Sequence, residues 1–162
     1  MFSCRFIQAT RDFATYEKPV CAPYLRKVFT LDRLPEKAAL SLTSTGFYRL
    51  WVNGSELTAS RLAPCITNPD DILFYDTYDV KPFLKAGQNC LAFLLGNGVS
   101  NAIGGFIWEF DKAVFRSSPK LALSFEAACG EQSLRFEADE SFKCASSPIF
   151  FDDLRSGEFY DA

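Results

Sequence analysis

The chain has 162 residues, 48% of them hydrophobic, and a formal net charge of −3. That length allows one domain with a substantial core, burying roughly 70% of its unfolded surface. The mild acidity leaves no basic track for nucleic acid, and the absence of any histidine removes the commonest general base, triad member and metal ligand.

Residues 1–23 read as an irregular segment packing on the domain that follows, with Pro19 and Pro23 framing the entry to the first strand. YLRKVFTL (24–31) alternates, placing Leu25, Lys27 and Phe29 on one face and Arg26, Val28 and Thr30 on the other. A Leu-Pro-Glu-Lys turn leads to AALSLTS (38–44). FYRLWVN (47–53) again has two faces, Tyr48, Leu50 and Val52 against Phe47, Arg49, Trp51 and Asn53. Asn53-Gly54 supplies the positive φ angles of a tight hairpin, with SELTAS (55–60) as the expected return strand.

After a Pro- and Asp-rich loop, ILFYDTYDV (72–80) is the next expected strand, followed by a helical turn over 81–85 capped by Asp79 and carrying Pro82 near its start. Gly87-Gln88-Asn89 is read as a turn into CLAFLLG (90–96), apolar on both faces as a central strand should be. Residues 97–118 are the least regular and hold Asn97, Asn101, Phe106, Trp108, Phe110 and Phe115. LALSFEA (121–127) and SLRFEA (133–138) form a hairpin, and FKCAS (142–146) and IFFDDL (149–154) lead to the terminal GEFYDA. The reading is one all-β domain over 24–162, a jelly-roll β-sandwich of about ten short, mostly antiparallel strands with turn signals about every 8–12 residues.

The six cysteines, Cys4, Cys21, Cys65, Cys90, Cys129 and Cys144, contain no CxxC pair, so a zinc or thioredoxin-like site is not expected. Residues 1–16 carry Arg5, Arg11 and Asp12 and lack the apolar stretch of a signal peptide. The thiols are therefore expected to be reduced and mostly buried, Cys90 foremost, in a cytoplasmic protein. No apolar run reaches the roughly 20 residues of a membrane-spanning helix.

Taken in order, APYLRKVFTL (22–31), GFYRLWVNG (46–54), LAPCITNPDD (62–71), YDTYDVKPFLKAGQN (75–89), LLGNG (94–98) and SPIFFDDLRSGEFYDA (147–162) resemble the N-terminal β-sandwich of bacterial α-L-rhamnosidases of glycoside hydrolase family 78. The resemblance covers about residues 20 to 162 and implies a galactose-binding-like fold. Family catalytic carboxylates lie downstream in a separate (α/α)6 barrel. The resemblance thus implies an accessory domain with no catalytic residues of its own, partnered by the remaining domains of a parent enzyme. The chain departs from the family at Cys65-Ile66, where Gly-Trp often follows Pro64, and at Val99, where an aromatic is frequent.

Arg49 and Trp51 share a strand face that could stack on a sugar ring, making the chain a module for rhamnose-containing glycans, or could pack on a neighbouring domain. Asp76 could bind sugar hydroxyls or a cross-strand partner. Asn97, Asn101 and Trp108 lie on a polar-aromatic loop suited to a ligand or domain contact. The doublets Asp70-Asp71 and Asp152-Asp153 have the hard oxygens calcium favours, but solvated loop acids are the commoner reading, and neither metal nor cofactor is expected.

Overall fold

The computed structural model describes residues 5–104 and 108–161; Cys4 and Phe106 lie outside them. The strands in chain order are β1 (Ile7–Gln8), β2 (Pro23–Leu31), β3 (Lys37–Ser44), β4 (Phe47–Val52), β5 (Ser55–Glu56), β6 (Asp76–Asp79), β7 (Gly87–Gly96), β8 (Lys120–Cys129), β9 (Gln132–Glu137), β10 (Lys143–Ser146), β11 (Ile149–Asp153) and β12 (Gly157–Tyr160). Two antiparallel sheets form the sandwich. One runs β1-β8-β3-β6, with β9 following β1 along the same edge of β8; the other runs β10-β2-β7-β4-β5. β11 and β12 make a separate hairpin.

The period-2 pattern builds the core. Leu25, Phe29 and Leu31 of β2, Tyr48, Leu50 and Val52 of β4, and Leu91, Phe93 and Leu95 of β7 meet Leu40 and Leu42 of β3 and Leu121, Leu123 and Phe125 of β8. Phe29, Phe125 and Phe136 bring their ring centroids within 4.7–5.2 Å of one another across the two layers. Such aromatic pairs contribute about 0.5–1.5 kcal/mol beyond their area burial. Lys27 is the charged residue on the inward register of β2. It places Nζ 5.6 Å from the ring centroids of both Phe136 and Phe142 and 3.4 Å from Asp139. The amphipathic side chain thereby keeps its charged end partnered at the sandwich margin.

The register pins each hairpin. Asn53 (φ 50) and Gly54 (φ 88) close β4–β5 as expected, but β5 stops at Glu56, so residues 57–60 are loop. The strand expected over 72–80 shortens to Asp76–Asp79. Gly87-Gln88-Asn89 does not form a separate turn: it is the first part of β7, with Gly87 at φ 86 making the entry. The Asn89 side chain donates to the carbonyls of Lys85 (2.7 Å) and Gly87 (2.9 Å) and accepts from the Lys85 N–H and from Asn53. Asn53 in turn accepts the Cys90 N–H at 2.9 Å. The asparagines of the two motifs thus clasp each other. The helical turn is 3-10 in type and spans Lys81–Phe83; Val80 occupies the N-cap position, while Asp79 accepts the Lys81 N–H at 3.1 Å.

The two ends of the sandwich differ. Residues 32–36, 53–54, 80–86 and 130–131 form compact turns at one end. Residues 9–22, 57–75, 97–104, 108–119 and 147–161 gather at the other, which is hereafter called the long-loop rim. Cys21, Cys65, Cys90, Cys129 and Cys144 are free; Cys65 and Cys144 are exposed and the other three half-buried. The expectation of mostly buried thiols is therefore corrected, Cys90 included: it lies on the outer face of β7, where the sheet is only partly covered. No helix among the described residues is long and apolar enough to cross a membrane.

Candidate functional site

Alternation sends Phe47, Arg49 and Trp51 to the outer face of the second sheet, opposite the buried Tyr48, Leu50 and Val52. Pairing with β7 sets Arg49 beside Leu94 and Trp51 beside Ala92. Arg49 forms a two-pronged pair with Glu56, Nε to Oε1 and Nη2 to Oε2 both at 2.7 Å. Its guanidinium also lies 5.0 Å from the centroid of the Trp51 ring. The pairing with Glu56 raises the Arg49 pKa and lowers that of Glu56. Arg49 thus stiffens the face and offers the indole a cationic neighbour.

Beside this face the β11–β12 hairpin folds back and encloses a groove of about 370 Å³. One wall carries Phe47, Arg49, Arg61 and Leu94, the other Leu154 and Glu158. Trp51 stands outside the groove. The arrangement combines an apolar floor with guanidinium and carboxylate groups at its margins, which suits a polar organic ligand or a protein segment.

The other candidates are placed differently. Asp76 pairs with Leu42 on the side of β6 that faces the opposite sheet. There its carboxylate accepts the Tyr48 hydroxyl, which lies 2.9 Å from the Tyr78 hydroxyl. Burial, then the bond to Asp76, drives the Tyr48 pKa far up, and burial also raises Tyr78. This is a polar clasp between the two sheets.

Asn97 and Asn101 are 1% and 0% exposed. Asn97 Nδ2 donates to the Val20 carbonyl at 2.8 Å and to Asp152 Oδ1 at 2.6 Å, while its backbone N–H donates to Asp152 Oδ2 at 2.7 Å. Asn101 Nδ2 donates to Asn97 Oδ1 at 2.7 Å and its Oδ1 accepts the Ala14 N–H at 3.0 Å. The two amides therefore join the N-terminal segment, the loop after β7 and β11. Trp108 is 53% exposed, with its ring 5.5 Å from that of Phe110 and 5.9 Å from the Arg155 guanidinium. The structure brings Arg49 together with Trp51, and Asn97 with Asn101, but does not gather the six candidates into one site.

The Asp152-Asp153 doublet is tied to protein donors. Burial raises the Asp152 pKa despite the Asn97 donors, whose N–H groups already occupy both carboxylate oxygens. Burial would also raise Asp153, but the Arg155 and Ser156 backbone N–H groups and the Arg155 guanidinium together hold it below the ordinary value. Asp71 accepts from Asn68 Nδ2 at 2.6 Å. Among the described residues no three His, Cys, Asp or Glu side chains cluster as metal ligands.

Sequence reasoning passed over Glu56, Arg61 and Glu158. Glu56 was legible as the residue opposite Trp51 once the Asn-Gly turn fixes the register; the approach of Arg61 and Glu158 depends on loop and hairpin placement, which no local pattern encodes.

The family model for the α-L-rhamnosidase N-terminal domain matches residues 33–162. An α-L-rhamnosidase of Formosa agariphila is 29% identical over 87% of this chain and 15% of its own, and one of Streptomyces avermitilis is 33% identical over 80% of this chain and 13% of its own. The crystal structure of the Streptomyces avermitilis α-L-rhamnosidase complexed with L-rhamnose superposes with a TM-score of 0.80, at 30% identity, over 89% of this chain and 14% of that one. This chain therefore spans about one-seventh of the length of these relatives. With the match covering most of its residues and the two-sheet topology agreeing, the chain belongs to the α-L-rhamnosidase N-terminal domain family.

Proposed function

We propose that this chain is a non-catalytic β-sandwich accessory domain of an α-L-rhamnosidase-like glycoside hydrolase, supporting a catalytic (α/α)6 barrel carried elsewhere in the parent polypeptide. The observation that carries the reading is the family match combined with coverage of only 13–15% of the curated relatives. The placement of the candidate polar residues agrees with it: Asp76, Asn97 and Asn101 hold strands and loops together rather than converge on a substrate-sized space. The purified chain is expected to leave aryl α-L-rhamnosides intact. Turnover abolished by substitution of one of its own Asp or Glu residues would overturn the reading. Among the described residues five cysteines are free, two of them exposed, which supports a reducing, cytoplasmic setting. Secretion of the native protein to an oxidising compartment would contradict that part.

A second reading, a carbohydrate-binding module for rhamnose-containing glycans, is favoured by the Arg49–Trp51 pair beside an open groove. Aromatic faces pack well against the C–H groups of pyranoses, and the guanidinium supplies donors for hydroxyls. Calorimetric titration with L-rhamnose distinguishes the two. Saturable binding lost in Trp51→Ala supports the module, and flat heats at millimolar sugar leave the accessory role alone.

A further inference from the structure

Exposed apolar side chains are unevenly distributed over this domain. Among the described residues the compact-turn end shows Leu34 and Phe83, whereas the long-loop rim shows Ile66, Ile72, Phe74, Trp108, Phe159 and Tyr160, with others beside them. The β11–β12 hairpin is the most telling part. A two-stranded ribbon is marginally stable by itself, yet Phe159 and Tyr160 are 57% and 62% exposed. The ribbon is fixed to the body through one side, by the Ala22 N–H to the Ile149 carbonyl (3.0 Å) and by Asp152 to Asn97. Its Phe150 and Phe159 rings stack at 5.9 Å while both remain exposed. Contiguous apolar surface of this kind on a folded domain marks an interaction face.

We propose that the long-loop rim, with the β11–β12 ribbon and the 57–75 loop at its centre, docks a following domain of the same parent polypeptide; this rests on the accessory-domain reading above. Two observations select that occupant. The relatives devote about six-sevenths of their length to regions outside this match, and the family match, to an N-terminal domain, takes in the β11–β12 ribbon at this rim. A polypeptide that continues as theirs does leaves the sandwich beside the exposed aromatics. A tethered neighbour meets the rim at high effective concentration, and a lasting interdomain interface is the setting in which such aromatic and aliphatic side chains belong.

Hydrogen exchange on the product of the complete reading frame and on the isolated chain tests this. Amides of 57–75 and 149–160 should exchange at least about tenfold more slowly in the longer product, while those of 81–86 exchange equally in both. The double variant Ile72→Asp, Tyr160→Asp should abolish that protection in the longer product and leave the isolated chain's Tm within about 2 °C, both side chains being largely exposed. A longer product without rim protection overturns the docking and leaves the accessory-domain reading standing. A native product no longer than this chain overturns both. Rim protection in the isolated chain that appears only on dimerisation assigns the surface to a second copy and also overturns the proposal.

Discussion

Replacing Asn97 by alanine removes three side-chain hydrogen bonds at 2.6–2.8 Å and leaves the Val20 carbonyl, Asp152 Oδ1 and Asn101 Nδ2 without that partner in a closed space. An orphaned buried polar group costs about 1–3 kcal/mol, more when charged. Partial relaxation and the retained Asn97 N–H to Asp152 bond bring the sum to about 3–5 kcal/mol. That is a large share of the roughly 5–15 kcal/mol of a typical domain. For a chain of this length it corresponds to a fall in Tm of about 10 °C. Urea unfolding of the isolated chain should show a lower midpoint with an unchanged m-value. Asn101→Ala should act in the same direction through the orphaned Ala14 N–H. A shift below about 0.5 kcal/mol for Asn97→Ala would refute the reasoning and return Asn97 to the ligand or domain contact first expected of it.

Tyr48→Phe opens the clasp between the sheets by removing the hydroxyl that Asp76 accepts, and should lower stability by about 1–2 kcal/mol in the same unfolding experiment; a neutral result would mean the clasp is not formed. Carboxyl-carbon NMR titration should place Asp152 above and Asp153 below the ordinary aspartate value of 3.8; reversed order would contradict the burial and donor pattern. The two act oppositely on stability. Asp153 contributes stability above pH 3.8 that is lost as pH falls through its folded value, whereas the contribution of Asp152 is present below 3.8 and lost as pH rises through its raised value. The stability of Asp152→Asn relative to the parent sequence should therefore improve between pH 4 and neutrality, and a flat difference would refute the raised pKa.

Much of the sandwich was legible because its strands are half-buried and alternate. β2, β3, β4 and the β8–β9 hairpin lie where period and turn residues placed them, and β7 does from Cys90 onward. Alternation tells which residues share a face but not which edge a strand occupies, so the runs at 55–60 and 72–80 kept strand propensity over residues that find no pairing partner. The pairs β1–β8 and β10–β2 are long-range and short, and no local signal announces them. The Arg49–Trp51 face was legible for the same reason as the strands. The placement of Asn97 and Asn101 was not: a glycine-rich loop with amides reads as exposed, and burial here comes from an N-terminal segment and a C-terminal hairpin that converge on it from opposite ends of the sequence.

The claim that this domain supports catalysis without performing it is tested most directly by assaying aryl α-L-rhamnoside hydrolysis for the isolated chain and the product of the complete reading frame, side by side at equal molarity. The account predicts hydrolysis by the longer product and none above the enzyme-free rate by the isolated chain. Turnover by the isolated chain, removed by substituting one of its own carboxylates, would contradict it.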